Sequence, residues 1–184
     1  IVTDADALQS FWRALDGDDI DIVLDFVAMA TANDSVDRYF ERFGQRIADI
    51  PPQHVRAVAT NTVRQLRMPG QFLVPAEAAL GHALEVISGR EEARLVYLGV
   101  AHAQPPKDGP LRLVLDIGGG STECIIGRGM EPLERESLQV GCIASTRRFF
   151  PNGRLSKKKW KDALTEITAE FQQFASTYRS LGWD

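Results

Sequence analysis

The chain has 184 residues, 44% hydrophobic and 25% charged, the balance of a soluble globular protein with room for one large domain or two small ones. No stretch approaches the ~18 consecutive apolar residues of a membrane span; the longest, Ile20 to Ala30, is interrupted by Asp21 and Asp25. The formal charge of −4 hides an asymmetry: residues 1–50 carry 11 acids against 4 bases, and residues 51–184 carry 14 against 17. The second part therefore suits an anionic ligand, but its excess is too small to indicate nucleic acid.

The front of the chain is acidic, has no initiator Met, and lacks the basic start of a signal peptide. It reads as truncated, and Ile20 to Ala30 reads as a helix or a buried strand. His54 to Thr60 alternates into an apolar run and predicts a strand. Asn61 can cap a helix over Thr62 to Met68, which stops before Pro69. Pro75 to Leu84 is Ala-rich and helical, Glu85 to Ser88 is a short β-prone run, and Glu91 to Ala103 predicts a helix with two carboxylates in its first turn, where the dipole favours them. This alternation implies an α/β layer.

Gln104 to Gly109 reads as a linker. Beyond it, strands over Arg112 to Ile117, Thr122 to Ile126 and Glu131 to Val140 are separated by short Gly-containing turns, as in antiparallel hairpins. A helix over Cys142 to Phe150 follows. The last helix starts after Ser156, and Trp160, Leu164, Ile167, Phe171, Phe174 and Tyr178 form one apolar stripe along it. Cys124 and Cys142 have no metal spacing and read as reduced thiols of a cytoplasmic protein. His54, His82 and His102 likewise lack a metal pattern.

The most informative stretch is Asp116 to Glu123, DIGGGSTE. A strand ends in Asp, turns through three glycines and resumes with Ser121 and Thr122. Glycines let backbone N–H groups wrap an anion, the hydroxyls add donors, and the two carboxylates suit magnesium. A plain Gly-rich hairpin turn is the alternative. The loop is neither a Walker loop, having no Lys after the glycines, nor a dinucleotide fingerprint or nucleophile elbow, since Glu123 occupies the position of the last Gly. A basic group, Arg147, Arg148, Arg154, Lys157, Lys158, Lys159 and Lys161, is either a solvated face or a polyanion patch.

DIGGGSTE resembles the second phosphate-binding loop of the exopolyphosphatase and guanosine pentaphosphate phosphohydrolase family. ATNTVRQLRM, EVISGREEARLVYLGVAH, ESLQVGCIASTRRFFPNG and LGWD resemble that family in the same order, over about residues 43 to 184. The resemblance implies a ribonuclease-H-like, actin-like ATPase fold of α/β class, with parts of two lobes. Residues 1–106 would be the remainder of the first lobe, with 1–42 atypical, and 107–184 the start of the second.

It further implies that Glu92 is the general base, that Asp116 and Glu123 are catalytic acids holding Mg2+, and that Arg64, Gly118, Gly119, Gly120, Ser121 and Thr122 bind phosphate. The family's first phosphate loop, D-x-G-S-N-S after a strand, has no counterpart here, and the chain reads as truncated at both ends. The implied activity is release of terminal phosphate from inorganic polyphosphate. Guanosine pentaphosphate hydrolysis is the alternative, and an inactive phosphate-binding module or sensor is a reading of another class. No nucleic acid and no membrane span are expected, and the family allows a homodimer for the full-length protein.

Overall fold

The computed structural model describes residues 22–25, 35–104 and 110–183. The chain divides into two compact units, Ile1–Ile87 and Ser88–Asp184. This division falls earlier than the expected one at 106/107. The reason is that the helix Gly89–Ala103 buries its apolar face within the second unit, so it belongs to the sheet that follows it. The linker residues 105–109 lie outside the described residues.

The first unit holds a parallel three-stranded sheet in the order β1-β2-β3, with β1 Ile22–Asp25, β2 Val55–Ala59 and β3 Leu84–Val86. Ile22 pairs with Val55 and Ala57 with Leu84. Parallel neighbours require crossovers, and helices supply them: α1 Ser35–Ile47, a single turn α2 Asn61–Arg64, and α3 Gly70–Leu80. Of the expected strand or helix over Ile20 to Ala30, Ile22–Asp25 is strand, and the other residues fall outside the description.

The core of this unit joins Phe40, Ile47 and Ile50 to Ala57, Ala76, Leu80 and Leu84. Helices α1 and α3 touch closely, because a Cβ on Gly44 would stand 2.6 Å from the Leu80 carbonyl oxygen. The expected helix over Thr62 to Met68 ends at Arg64, and the next begins at Gly70 rather than Pro75. Pro69, with φ −55°, already has the helical angle, and its carbonyl accepts from Leu73 N at 2.8 Å. Proline here starts the next helix rather than only ending the previous one.

The second unit opens with α4 Gly89–Ala103, whose cap is Ser88: its hydroxyl accepts from Glu91 N at 3.2 Å. An antiparallel sheet β4-β5-β6 follows, with β4 Arg112–Ile117, β5 Thr122–Arg128 and β6 Glu131–Leu138. Then come α5 Cys142–Phe149 and α6 Lys157–Leu181. The meander and both last helices agree with the expectation from sequence.

Every residue of β5 from Thr122 to Gly127 is buried, since β5 is central and covered on both faces. On one face Val114 and Ile125 pack with Ala93, Val96, Tyr97 and Ala101 of α4. On the other, Cys124, Ile126 and Leu113 pack with Phe171, Phe174 and Tyr178 of α6. The Tyr178 hydroxyl donates to the Cys124 carbonyl at 2.7 Å. The stripe of α6 is buried only along this part; Trp160 and Leu164 are 60% and 56% exposed.

Candidate active site

Strand register decides which acids share a face. Asp116 lies opposite Glu123, and Glu123 lies opposite Ser137, so the three form one row across β4, β5 and β6. Two residues further down is the row Val114, Ile125 and Arg135. With a side-chain period of two, the polar row occupies the face that α4 covers. Glu123 is only 1% exposed, and its Oε1 accepts from Ser137 Oγ at 2.7 Å. Asp116, half-buried, makes no side-chain hydrogen bond or ion pair among the described residues.

The direction of α4 fixes where Glu92 sits. At the helix start, Arg90 pairs with Glu136 at 2.9 Å, beside the Glu123–Ser137 pair. Further along, the Tyr97 hydroxyl donates to Gly129 O at 3.1 Å, in the β5–β6 turn, and the Gln104 carbonyl accepts from Arg112 at the far end of β4. The first turn of α4 therefore lies at the end of the sheet where the polar row and the glycine turn lie. Glu92, in that turn and one helical turn before Val96, is buried at 9% exposure.

The turn Gly118 to Ser121 is bound from below and from one side. Gly118 N donates to Ser121 O at 3.0 Å, which closes it. Its outer carbonyls are held by the start of α5: Cys142 N donates to Gly118 O at 2.9 Å, and Ile143 N and Ala144 N donate to Gly119 O at 3.0 Å. Among the described residues the amides of Gly119, Gly120 and Ser121 donate to no backbone carbonyl. A turn with three carbonyls committed and three successive amides that are not is rich in donors for an anion.

The glycines serve close approach here. None of Gly118, Gly119 and Gly120 has a positive φ. A Cβ on Gly141 would stand 2.4 Å from the backbone of Gly119 and Gly120, so this residue sets how tightly α5 holds the turn. Gly141 was not singled out from the sequence, although its place immediately before the Cys142 helix was visible.

The remaining expected residues fall out as follows. Ser121 is buried beside the free amides. Thr122 is buried too, but its hydroxyl donates to the Val140 carbonyl, so it ties the turn to the end of β6 rather than offering that proton to a ligand. Arg64 belongs to the first unit, where Nη1 donates to Ile87 O at 2.7 Å. In the basic group, Arg148 is paired with Glu166 and lies over the Phe149 ring, 5.2 Å from its centre, while Arg147, Lys157 and Lys158 are exposed. Burial pushes the Cys124 thiol up to about 11, assisted by Glu123 and Glu136, which makes it inert.

Among the described residues no group of three or more His, Cys, Asp or Glu is placed to hold a metal ion. The Asp116–Glu123 pair still fits magnesium, which is bound through one or two carboxylates and completes its shell with waters and substrate phosphate oxygens. A cleft of about 540 Å³ lies between β6, α5 and α6, lined by Glu136, Ser137, Gln139, Arg148, Glu166 and Phe174 among others; neither Arg64 nor any residue from Gly118 to Thr122 lines it. No described helix is long and apolar enough to cross a membrane.

The profile of the Ppx/GppA phosphatase family matches residues 28–184. A guanosine-5'-triphosphate,3'-diphosphate pyrophosphatase of Vibrio vulnificus is 42% identical over 142 residues, 77% of this chain and 28% of the relative. One from Pseudoalteromonas translucida is 38% identical over 171 residues, 93% of this chain and 33% of the relative. The chain thus spans about a third or less of the curated relatives it matches. Among solved structures, the Aquifex aeolicus PPX-GPPA enzyme is 29% identical with a TM-score of 0.60, covering 74% of this chain and 45% of that one. An exopolyphosphatase from Cytophaga hutchinsonii is 25% identical with a TM-score of 0.66, covering 79% and 47%.

Proposed function

We propose that this chain, which belongs to the Ppx/GppA phosphatase family, carries the acid-bearing part of a hydrolase that cleaves a terminal phosphoanhydride bond of guanosine pentaphosphate. The observation that carries the reading is the convergence, at one end of one sheet, of a buried glutamate, a row of two carboxylates and a turn with uncommitted amides. Phosphoryl transfer needs positioning, charge neutralisation and an oriented nucleophile, and no covalent intermediate.

In this reading Glu92 takes the proton of the attacking water, the P–O bond to the leaving phosphate chain breaks, and inorganic phosphate is released. Gly119, Gly120 and Ser121 donate to the phosphate oxygens. Asp116 and Glu123 would hold magnesium, which would supply neutralisation of phosphate charge. Arg64 carries a permanently charged planar group suited to phosphate oxygens. Arg147, Lys157 and Lys158 draw polyanions electrostatically. The cytoplasm, where nucleotides of this kind occur, is the expected location.

The substrate reading differs from the first expectation, which put polyphosphate ahead. The names of the curated relatives at 38–42% identity support guanosine pentaphosphate. The likeness to the exopolyphosphatase from Cytophaga hutchinsonii supports polyphosphate as the second reading, at lower identity. The test is kcat/KM for phosphate release from both substrates, side by side, on the full-length protein. A preference of tenfold or so for guanosine pentaphosphate is expected; a preference of that size for polyphosphate would reverse the assignment, and no release from either would overturn the hydrolase reading.

A further inference from the structure

Glu123 is among the most deeply buried side chains of the second unit, yet it is a carboxylate. A buried carboxylate must be given hydrogen-bond donors or it will not stay in place as an anion. One such donor is a hydroxyl from the neighbouring strand, Ser137 Oγ to Glu123 Oε1 at 2.7 Å. The register leaves no ambiguity about direction. With the strands in the order β4-β5-β6, Glu123 is the middle member of its row; Asp116 stands on one side and Ser137 on the other.

The sequence of β6, EPLERESL, makes the choice of residue informative. Glu131, Glu134 and Glu136 stand on the same strand, and Ser137 brings a small neutral donor to the one position directly opposite Glu123. A carboxylate at that position would face Glu123 directly and repel it. An alanine would leave Oε1 without this donor.

We propose that Ser137 is a positioning residue: its hydroxyl pins Glu123 Oε1 from the side away from Asp116 and so fixes the plane in which Glu123 meets the ligands it shares with Asp116. This rests on the hydrolase reading above and deepens it, since it assigns the support of the carboxylate row. Removing the hydroxyl leaves both carboxylates in place but takes away the tether on Glu123 Oε1. Partners of this kind, one step behind a metal-binding carboxylate, are worth about 10–100-fold in metal affinity or activity.

The test uses the full-length protein with Ser137→Ala and Ser137→Thr. Magnesium binding is measured by calorimetry without substrate, and kcat and KM are measured for phosphate release. Ser137→Ala is expected to weaken magnesium binding and lower kcat by about 10-fold each, with KM within about 3-fold and the unfolding midpoint within about 4 °C. Ser137→Thr, which keeps the hydroxyl, restores both. Wild-type magnesium affinity and kcat in the Ala variant overturn the proposal, as does loss of both in the Thr variant. An Ala variant that no longer folds would mark the bond as structural and overturn it too. If the wild type hydrolyses neither substrate while Ser137→Ala still weakens magnesium binding, the hydrolase reading fails and the positioning role stands.

Discussion

The two faces of the β4-β5-β6 sheet are built from alternate residues of the same strands and do different work. The face under α6 has an apolar centre: Leu113, Cys124 and Ile126 meet Phe171, Phe174 and Tyr178, and the Tyr178 hydroxyl is satisfied by the Cys124 carbonyl. The face under α4 begins apolar, with Val114 and Ile125 against Val96 and Tyr97, then changes to carboxylates at the end that carries the glycine turn. Two residues of displacement along a strand separate the core from the chemistry. The lesson is that the covered rows hold the strands in register, and register alone brings Asp116, Glu123 and Ser137 into line.

Substitutions can break this comparison selectively. Among substitutions that set the two faces against each other, the largest effect is expected at Gly141. Its Cβ would meet the Gly119 and Gly120 backbone at 2.4 Å, with no flexible side chain to yield. Gly141→Ala should push the turn off α5 and lower phosphate release by about 10²-fold, the scale of a displaced oxyanion donor. Stability should fall by about 1–3 kcal/mol. Steady-state kinetics and urea unfolding check both; full activity in this variant would separate the turn from the reaction.

The apolar face should respond the other way. Tyr178→Phe deletes the hydroxyl that serves the Cys124 carbonyl and should cost about 1–2 kcal/mol with activity unchanged. It should also alter the alkaline limb of stability. Burial first, then Cys124, Glu136 and Glu134, raise the Tyr178 phenol above its ordinary 10.0, while Arg90 opposes them. Below pH 10 both folded and unfolded chains keep the proton, and the contribution is full. Above it the unfolded chain ionises first, so stability declines as pH rises. Melting temperature against pH from 8 to 11 should decline less steeply in Tyr178→Phe, leaving the part due to Cys124, whose thiol is lifted from 9.0 to about 11. An identical slope would contradict the assignment.

The smallest effect belongs to the overhanging start of α6. Leu164 shares the stripe of Phe171 and Phe174 but is more than half exposed. Leu164→Ala should therefore change stability by no more than about 0.5 kcal/mol in denaturant unfolding. A loss several times larger would mean that this part of the stripe is covered.

These contrasts show which features the sequence carried. The meander, the Ser156 cap and the apolar stripe were legible because period two and period 3.6 are local properties. DIGGGSTE was legible as a tight glycine turn at the end of a strand, and such a turn stands there, closed by Gly118 N to Ser121 O. What was not legible depended on partners distant in sequence. The division between units came after Ile87 because Ala93, Val96 and Tyr97 pack on strands 20 to 30 residues later, which no composition change announces. Thr122 looked like a phosphate donor, but its hydroxyl meets Val140, a pairing that only the fold creates. Ser137 was an ordinary serine in a charged strand until register set it opposite Glu123. Trp160 and Leu164 have the spacing of core residues, yet both are more than half exposed.

The central claim is that Glu92, brought by α4 to the acid-bearing end of the sheet, acts as the base. In the full-length protein, Glu92→Gln keeps size and shape and removes the proton acceptor. Single-turnover phosphate release, measured with substrate affinity on the same preparation, tests it most directly. The account predicts a drop of about 10²–10⁴-fold in the rate with affinity within about threefold of wild type. A Gln variant that turns over at the wild-type rate would contradict the claim and transfer the role to Glu123.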